Sequence, residues 1–241
     1  MIPSKNERII GLVLSISAFK EDSAIVTMAT KQGIQGFLCS HIYRMKSNLK
    51  CMLLAFNLVE VDISRTKDDF AIAKQAHVLS DISASYLDLK KNLFFSFLQE
   101  TSMAFFRYGD NYPLEEVSFL IMNSDQDLIT LSLLYLGVVY TYLGIRMDTK
   151  ECVKCHRKDH LVYFSFEDGG FLCSDCTKER CNPIELYILK FAFMDINART
   201  VSKVVPKEPG KKILLALLQN LMDYYDIKKI SSLSMLLEAI S

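Results

Sequence analysis

The sequence has no surplus of charge. Its 28 lysines and arginines balance 28 aspartates and glutamates, so the chain taken whole carries no nucleic-acid signature. It also lacks the strings that mark nucleotide or hydrolytic chemistry: there is no Walker loop, GxSxG, GxGxxG or HExxH. The four histidines, His41, His77, His156 and His160, show no paired spacing with carboxylates. Glu115-Glu116 and Asp125-Gln126-Asp127 are acids of the kind favoured in helix N-terminal turns, and Asp68-Asp69 reads as a solvated connection. These absences argue for a binding protein rather than an enzyme. No internal repeat or low-complexity tract is present. Residues 1–11 hold Lys5, Glu7 and Arg8 and no long apolar stretch, so no secretion signal is expected.

One apolar run needs a decision. Leu128 to Ile145 has no charge, but it contains Thr130, Ser132, Thr141, three tyrosines and two glycines. It falls short of the roughly 20 residues a membrane-spanning helix requires, so a buried core helix is expected and a membrane-associated protein is the weaker reading.

What is present is unevenly distributed. Half of the residues are apolar, enough for a sizeable core. The first third is mildly basic and the middle is acidic. Between Ser23 and Val59 there is no acid at all, while His41, Arg44, Lys46 and Lys50 cluster in CSHIYRMKSNLK. Such asymmetry is a clue to a partner. Small barrels hold single strands through a cationic groove and aromatic stacking, and Arg44 and Tyr43 bring both chemistries. Lys20, Lys31, Arg65 and Lys67 extend the groove if they share its face. The alternative is an ordinary solvated loop.

Short apolar or β-branched runs at 8–16, 22–28, 34–39 and 51–64 are separated by turn residues and predict the strands of a small barrel. From about Asp69 the spacing of Phe70, Ala73, Ala76 or His77, and Ser80 turns helical. Ala84 to Tyr108 reads as one long amphipathic helix, with two or three more over 113–145. Asn182-Pro183 opens a helix over Ile184–Ala198. The stretch 202–212 reads as a loop, followed by helices over Ile213–Tyr225 and Leu233–Ile240.

The segment CVKCHRKDHLVYFSFEDGGFLCSDC places Cys152, Cys155, Cys173 and Cys176 as two Cys-x-x-Cys pairs with seventeen residues between them. That is the two-pair pattern of a tetrahedral zinc site. The strand 161–166, the turn Asp168-Gly169-Gly170 and the return Phe171-Leu172 form a hairpin that brings the pairs together. His156 and His160 are alternative ligands inside the loop. A redox dithiol would sit in a βαβ context that is missing here, and the seven cysteines fit a reducing cytosol. A closed four-thiolate site leaves no open position for water, which makes it structural rather than catalytic. Cys181 reads as a packed or spare thiol, Cys39 and Cys51 as small core residues of strands.

The order of these parts resembles the RecO family. The matching stretches are GLVLS at 11–15, FKEDSAIVTMATKQG at 19–33, YRMKSNL at 43–49, LLYLGVVYTYLGI at 133–145 followed by CVKC, FEDGGFLCSDC at 166–176 and YDIKKISSL at 225–233. The resemblance implies an α+β protein: an OB-fold DNA-binding domain over 1–78, then a helical domain over 79–241 with a four-cysteine, ribbon-like zinc element inserted at about 150–178. It implies binding of single- and double-stranded DNA, strand annealing, docking on the C-terminal tail of single-stranded DNA-binding protein, and loading of RecA together with RecR, without catalysis and in the cytoplasm at the nucleoid. The family's basic segment falls on Arg44, Lys46 and Ser47; together with the cationic stretch read above, the expected DNA-contacting residues are Lys31, Tyr43, Arg44, Lys46 and Lys50. Where the family often carries a glycine and a second arginine, this sequence has His41 and Tyr43, which lowers the cationic count and leaves Tyr43 to stack. Lys154, Arg157 and Lys158 of the insert are further candidates for DNA contact, and Arg107 for the rim of a partner pocket.

Overall fold

The computed structural model describes residues 6–66 and 70–240. The chain divides into two compact units, Met1–Ile121 and Met122–Ser241.

In the first unit five strands close into a barrel: β1 (Asn6–Phe19), β2 (Ser23–Thr30), β3 (Gly33–Cys39), β4 (Leu58–Arg65) and β5 (Ala71–Ser80), in the order β1-β2-β3-β5-β4 and back to β1. This is the five-stranded OB topology. Closure depends on β1, which pairs with β4 over Asn6–Leu12 and with β2 over Gly11–Phe19, bending at an irregularity between Val13 and Ser15. Alternation along the strands sends Val26, Met28, Phe37, Cys39, Val59, Val61 and Ile63 into a common core. The seam between β3 and β5 is parallel and short, from Phe37↔Ala71 to Cys39↔Ala73.

Two helices complete this unit, α1 (Leu89–Phe105) and α2 (Leu114–Met122). The carboxylate of Asp88 accepts from the backbone N–H groups of Lys90 and Lys91 and so starts α1. Phe95 of α1 packs on Phe56, with ring centroids 5.1 Å apart, and the Tyr86 hydroxyl donates to the Ala55 carbonyl at 2.6 Å. The connection between the helices grips the β2–β3 turn: Ile34 donates to the Arg107 carbonyl at 3.3 Å, and Gly109 donates to that of Gln32 at 2.9 Å. Gly33 is the residue that permits this grip. It sits at φ +91°, and a β-carbon there would lie 1.9 Å from the Arg107 oxygen.

The second unit is built around α3 (Leu128–Tyr142), capped by Asp127 and buried on nearly every side. Around it stand α4 (Pro183–Ala192), α5 (Ala198–Val201), α6 (Lys207–Tyr225) and α7 (Ser232–Ala239), and a two-stranded hairpin, β6 (Leu161–Ser165) with β7 (Gly170–Cys173), lies between α3 and α4 in sequence. The Tyr140 hydroxyl of α3 is 2.9 Å from the Leu217 carbonyl and 2.8 Å from Asn220 Oδ1, which satisfies a buried polar tip. At Gly137, α3 approaches the end of α4 so closely that a β-carbon would lie 1.8 Å from the Ala192 oxygen. Among the described residues no helix is long and apolar enough to cross a membrane.

Several local expectations are corrected. The stretch from Phe70 to Ser80 is not a helix; it is β5. Between Asp62↔Gln75 and Ile63↔Ala73 the register shifts, so the inward residues run Ala71, Ala73, Ala76, and the bulge turns a period of two into an apparent helical spacing. The run 51–64 is a 3-10 turn at Lys50–Leu53 followed by β4. The long helix over 84–108 is interrupted at Asp88, with a 3-10 turn before it. The helix after Asn182 ends at Ala192 rather than continuing to Ala198, and α6 starts at Lys207, inside the expected loop. Pro209 is tolerated there because first-turn N–H groups have no intrahelical partner. Lys67 and the Asp68-Asp69 pair lie outside the described residues.

Candidate metal centre and nucleic-acid face

The hairpin brings the two cysteine pairs together. The Sγ atoms of Cys152, Cys155, Cys173 and Cys176 all lie within 4.8 Å of one another, and those of Cys155 and Cys173 are 3.5 Å apart. Tetrahedral thiolate coordination with bonds of about 2.3 Å puts its sulfurs about 3.8 Å apart, so the donor set fits a single ion. Each pair is shaped by its backbone. His156 donates to the Cys152 carbonyl at 2.8 Å and adopts φ +59°; Cys176 and Thr177 donate to that of Cys173 at 3.0 and 3.2 Å. The two turns are held in register by Val153 donating to Phe171 and Ser174 donating to His160.

The thiols perturb one another strongly. Burial pushes the Cys152 thiol up, but backbone N–H groups of Cys173, Lys154 and Cys155 outweigh it and bring it down to about 6. Cys176 is pushed up to about 12, first by the neighbouring Cys155 and Cys173 thiols and then by burial. Cys155 is also raised. Four sulfurs this close cannot all ionise without a cation among them, and the cluster could hold a metal ion. His156 and His160 stand apart from it: the first pairs with Glu151 at 2.7 Å, the second with Asp159 at 3.8 Å. Cys181 is outside the cluster and donates its backbone N–H to Val162. Cys39 is buried in β3, where burial and the nearby Cys51 push its thiol up to about 12; Cys51 itself sits in the 3-10 turn.

On the barrel, Tyr43, Arg44, Lys46 and Lys50 are brought onto one segment, the connection from β3 to the 3-10 turn, and all four are exposed. Ser47 lies among them, half-buried. The segment is anchored by Ile42 and Leu49, both buried, and by Ala76 donating to the Asn48 carbonyl at 3.1 Å. Sequence reasoning missed the acid that faces it. Asp22, in the β1–β2 turn, accepts from Arg44 Nε at 2.9 Å and lies 2.5 Å from His41 Nδ1; the His41 contact, with Ser23 and Arg44 adding to it, holds its carboxyl below the usual carboxylate range. The only signal in sequence was that a β1–β2 turn and the end of β3 fall at the same end of an antiparallel hairpin stack.

Lys31 is not with this group. It lies in the β2–β3 turn, at the opposite end of those strands, paired with Glu115 of α2 at 2.6 Å. Arg65 pairs with Glu7 at 3.2 Å, and Lys20 sits over the Phe19 ring. In the insert, Lys154 pairs with Asp168 and Arg157 with Asp175, while Lys158 is exposed. Arg107 turns one Nη onto the carbonyls of Met103, Ala104 and Phe106, closing the end of α1.

The barrel is closed and carries an exposed cationic loop, and a helical unit with a four-thiol cluster follows it in the chain. The family described as "Recombination protein O C terminal" matches residues 114–233. A "DNA repair protein RecO" of Caldicellulosiruptor bescii is 28% identical over 204 residues, covering 80% of this chain and 82% of the relative. Those of Caldicellulosiruptor saccharolyticus and Streptococcus pneumoniae are 24% and 27% identical over 228 and 240 residues, each covering 89% of this chain and 89% and 87% of the relative. The chain belongs to the RecO family.

Proposed function

We propose that the protein is a non-enzymatic mediator of DNA repair and recombination. It binds single- and double-stranded DNA through its barrel, anneals complementary strands, docks on the C-terminal tail of single-stranded DNA-binding protein and, with RecR, promotes RecA loading. Residues 1–78 are the DNA-binding OB domain in this reading. Residues 79–241 are the partner-binding helical region, of which α1 and α2 belong to the first compact unit, and the setting is the cytoplasm at the nucleoid. The observation that carries it is the anchored, exposed segment holding Tyr43, Arg44, Lys46 and Lys50 on a closed OB barrel. Lys31, at the other end of β2 and β3, marks a second point on the same strand path. The four cysteines hold one zinc ion, which fastens the hairpin between α3 and α4 and has no open coordination position.

A second reading has an observation in its favour. Asp22 is paired with Arg44 and Glu115 with Lys31, which is the arrangement of a metal-clipped protein-interaction module with little DNA binding of its own. A salt series separates the two. In the mediator, changing Arg44 and Lys46 together to alanine weakens binding to every sequence and lowers the salt slope by about 0.7 per lost contact on single strands. An unchanged slope, or no binding at low salt by the unaltered protein, selects the interaction module.

A further inference from the structure

The cationic segment also carries an apolar residue that the barrel does not use. Met45, between Arg44 and Lys46, is 88% exposed, and Tyr43 beside it is 44% exposed. This is not the looseness of an unanchored loop. Ile42 and Leu49 are buried on either side, Ser47 donates to the Arg44 carbonyl at 3.0 Å, and Arg44 donates to that of His41 at 3.1 Å. The Asp22 carboxylate holds both His41 and Arg44 from the facing turn, so the side chain of Met45 is displayed on a fixed platform.

A large apolar side chain kept in water between two cations forgoes the stabilisation that burial would bring. The surface it creates alternates charge and apolar area over three residues. The ligand with the complementary alternation is a polyanion whose apolar faces are open: a single-stranded nucleic acid, with phosphates for the cations and unstacked bases for Met45 and Tyr43. A duplex offers the same phosphates but keeps its bases stacked, so it satisfies the cations and leaves Met45 exposed.

We propose that Met45 packs against an unstacked base and gives the barrel its preference for single strands over duplex. The inference rests on the DNA-binding reading above and names the residue that would discriminate within it. The measurement is binding of the full chain to a labelled 20-nucleotide single strand, the matching duplex, and an abasic strand of equal length, over a salt series. Met45→Ala is expected to weaken single-strand binding about fivefold, the low end of what stacking contributes per base, with the salt slope unchanged. Binding to duplex and to the abasic strand is expected to stay within about twofold. Met45→Phe is expected to restore or exceed the original single-strand affinity.

If Met45→Ala binds single strands as the unaltered protein does, while the Arg44 and Lys46 double change weakens them, the role of Met45 is overturned and the DNA reading stands. An equal loss on the abasic strand overturns it too, because the residue then acts through loop shape and not through a base. If the unaltered protein binds none of the three at low salt, the DNA reading falls and takes this inference with it.

Discussion

Gly137→Ala tests how the helical unit supports the four-cysteine hairpin. A β-carbon at this position would lie 1.8 Å from the Ala192 oxygen and 2.7 Å from its carbonyl carbon. Unbonded β-carbons do not approach within 3.0 Å, so the end of α4 must retreat by at least about 1.2 Å. The obstacle is backbone, which cannot rotate away as a side chain can. Ala is the better helix former, so intrinsic propensity alone would make the change stabilising by up to about 1 kcal/mol. Overpacking wins: the expected net loss is about 3 kcal/mol, or a fall in Tm of roughly 10 °C for a unit of this size. The strain travels in a specific direction. Ala192 is followed by Phe193, whose ring stacks on Phe164 of β6 at 6.3 Å, and Phe164 meets Phe171 of β7 edge-on at 5.5 Å. Thus the change is expected to loosen the hairpin and speed metal loss to a chelator as well. Urea unfolding and chelator kinetics on the same sample give both numbers. Gly36→Ala is the control, since its nearest neighbour would be Ile25 Cγ2 at an ordinary 3.4 Å. A Gly137→Ala protein within about 1 kcal/mol of the original would refute the reasoning, because it would mean α4 is free to move.

Two further outcomes are expected. Asp22→Asn removes the carboxylate that competes with phosphate for Arg44, so single-strand binding should tighten severalfold and the salt slope should steepen by about 0.7; weaker binding would show that Asp22 serves mainly to position the loop. In the reduced, metal-free chain the Cys152 thiol has ionised above about 6 while Cys176 stays protonated up to about 12. Between those limits metal binding must displace protons, so affinity measured by chelator competition at pH 6.5, 7.5 and 8.5 should rise about tenfold per unit for each proton displaced, and a flat profile would contradict the raised Cys176 thiol.

The four-cysteine cluster was legible because its information is local: two Cys-x-x-Cys pairs, a turn at Asp168-Gly169-Gly170 and a strand on each side bring the four thiols together with little help from elsewhere. The barrel was legible as far as its strands alternate. β5 was not, because its bulge shifts the inward residues from Ala73 to Ala76 and hides the period of two. The partners of the cations were not legible at all. Asp22 meets Arg44 across two strands, and Glu115 reaches Lys31 from 84 residues away. A stretch with no acid in its sequence is therefore not a stretch with no acid in its surroundings, and pairing of this kind is decided by topology.

The grip on the β2–β3 turn bears on where the chain can be divided. The carbonyls of Lys31 and Gln32 and the N–H of Ile34 find their partners in Tyr112, Gly109 and Arg107. A fragment ending after β5 would keep all five strands but strip three backbone hydrogen bonds from this one turn, and it would uncover Phe56, which Phe95 otherwise covers. A barrel fragment made for binding studies or crystallisation is better ended just past α2, whose last residue, Met122, directly follows the end of the compact unit at Ile121.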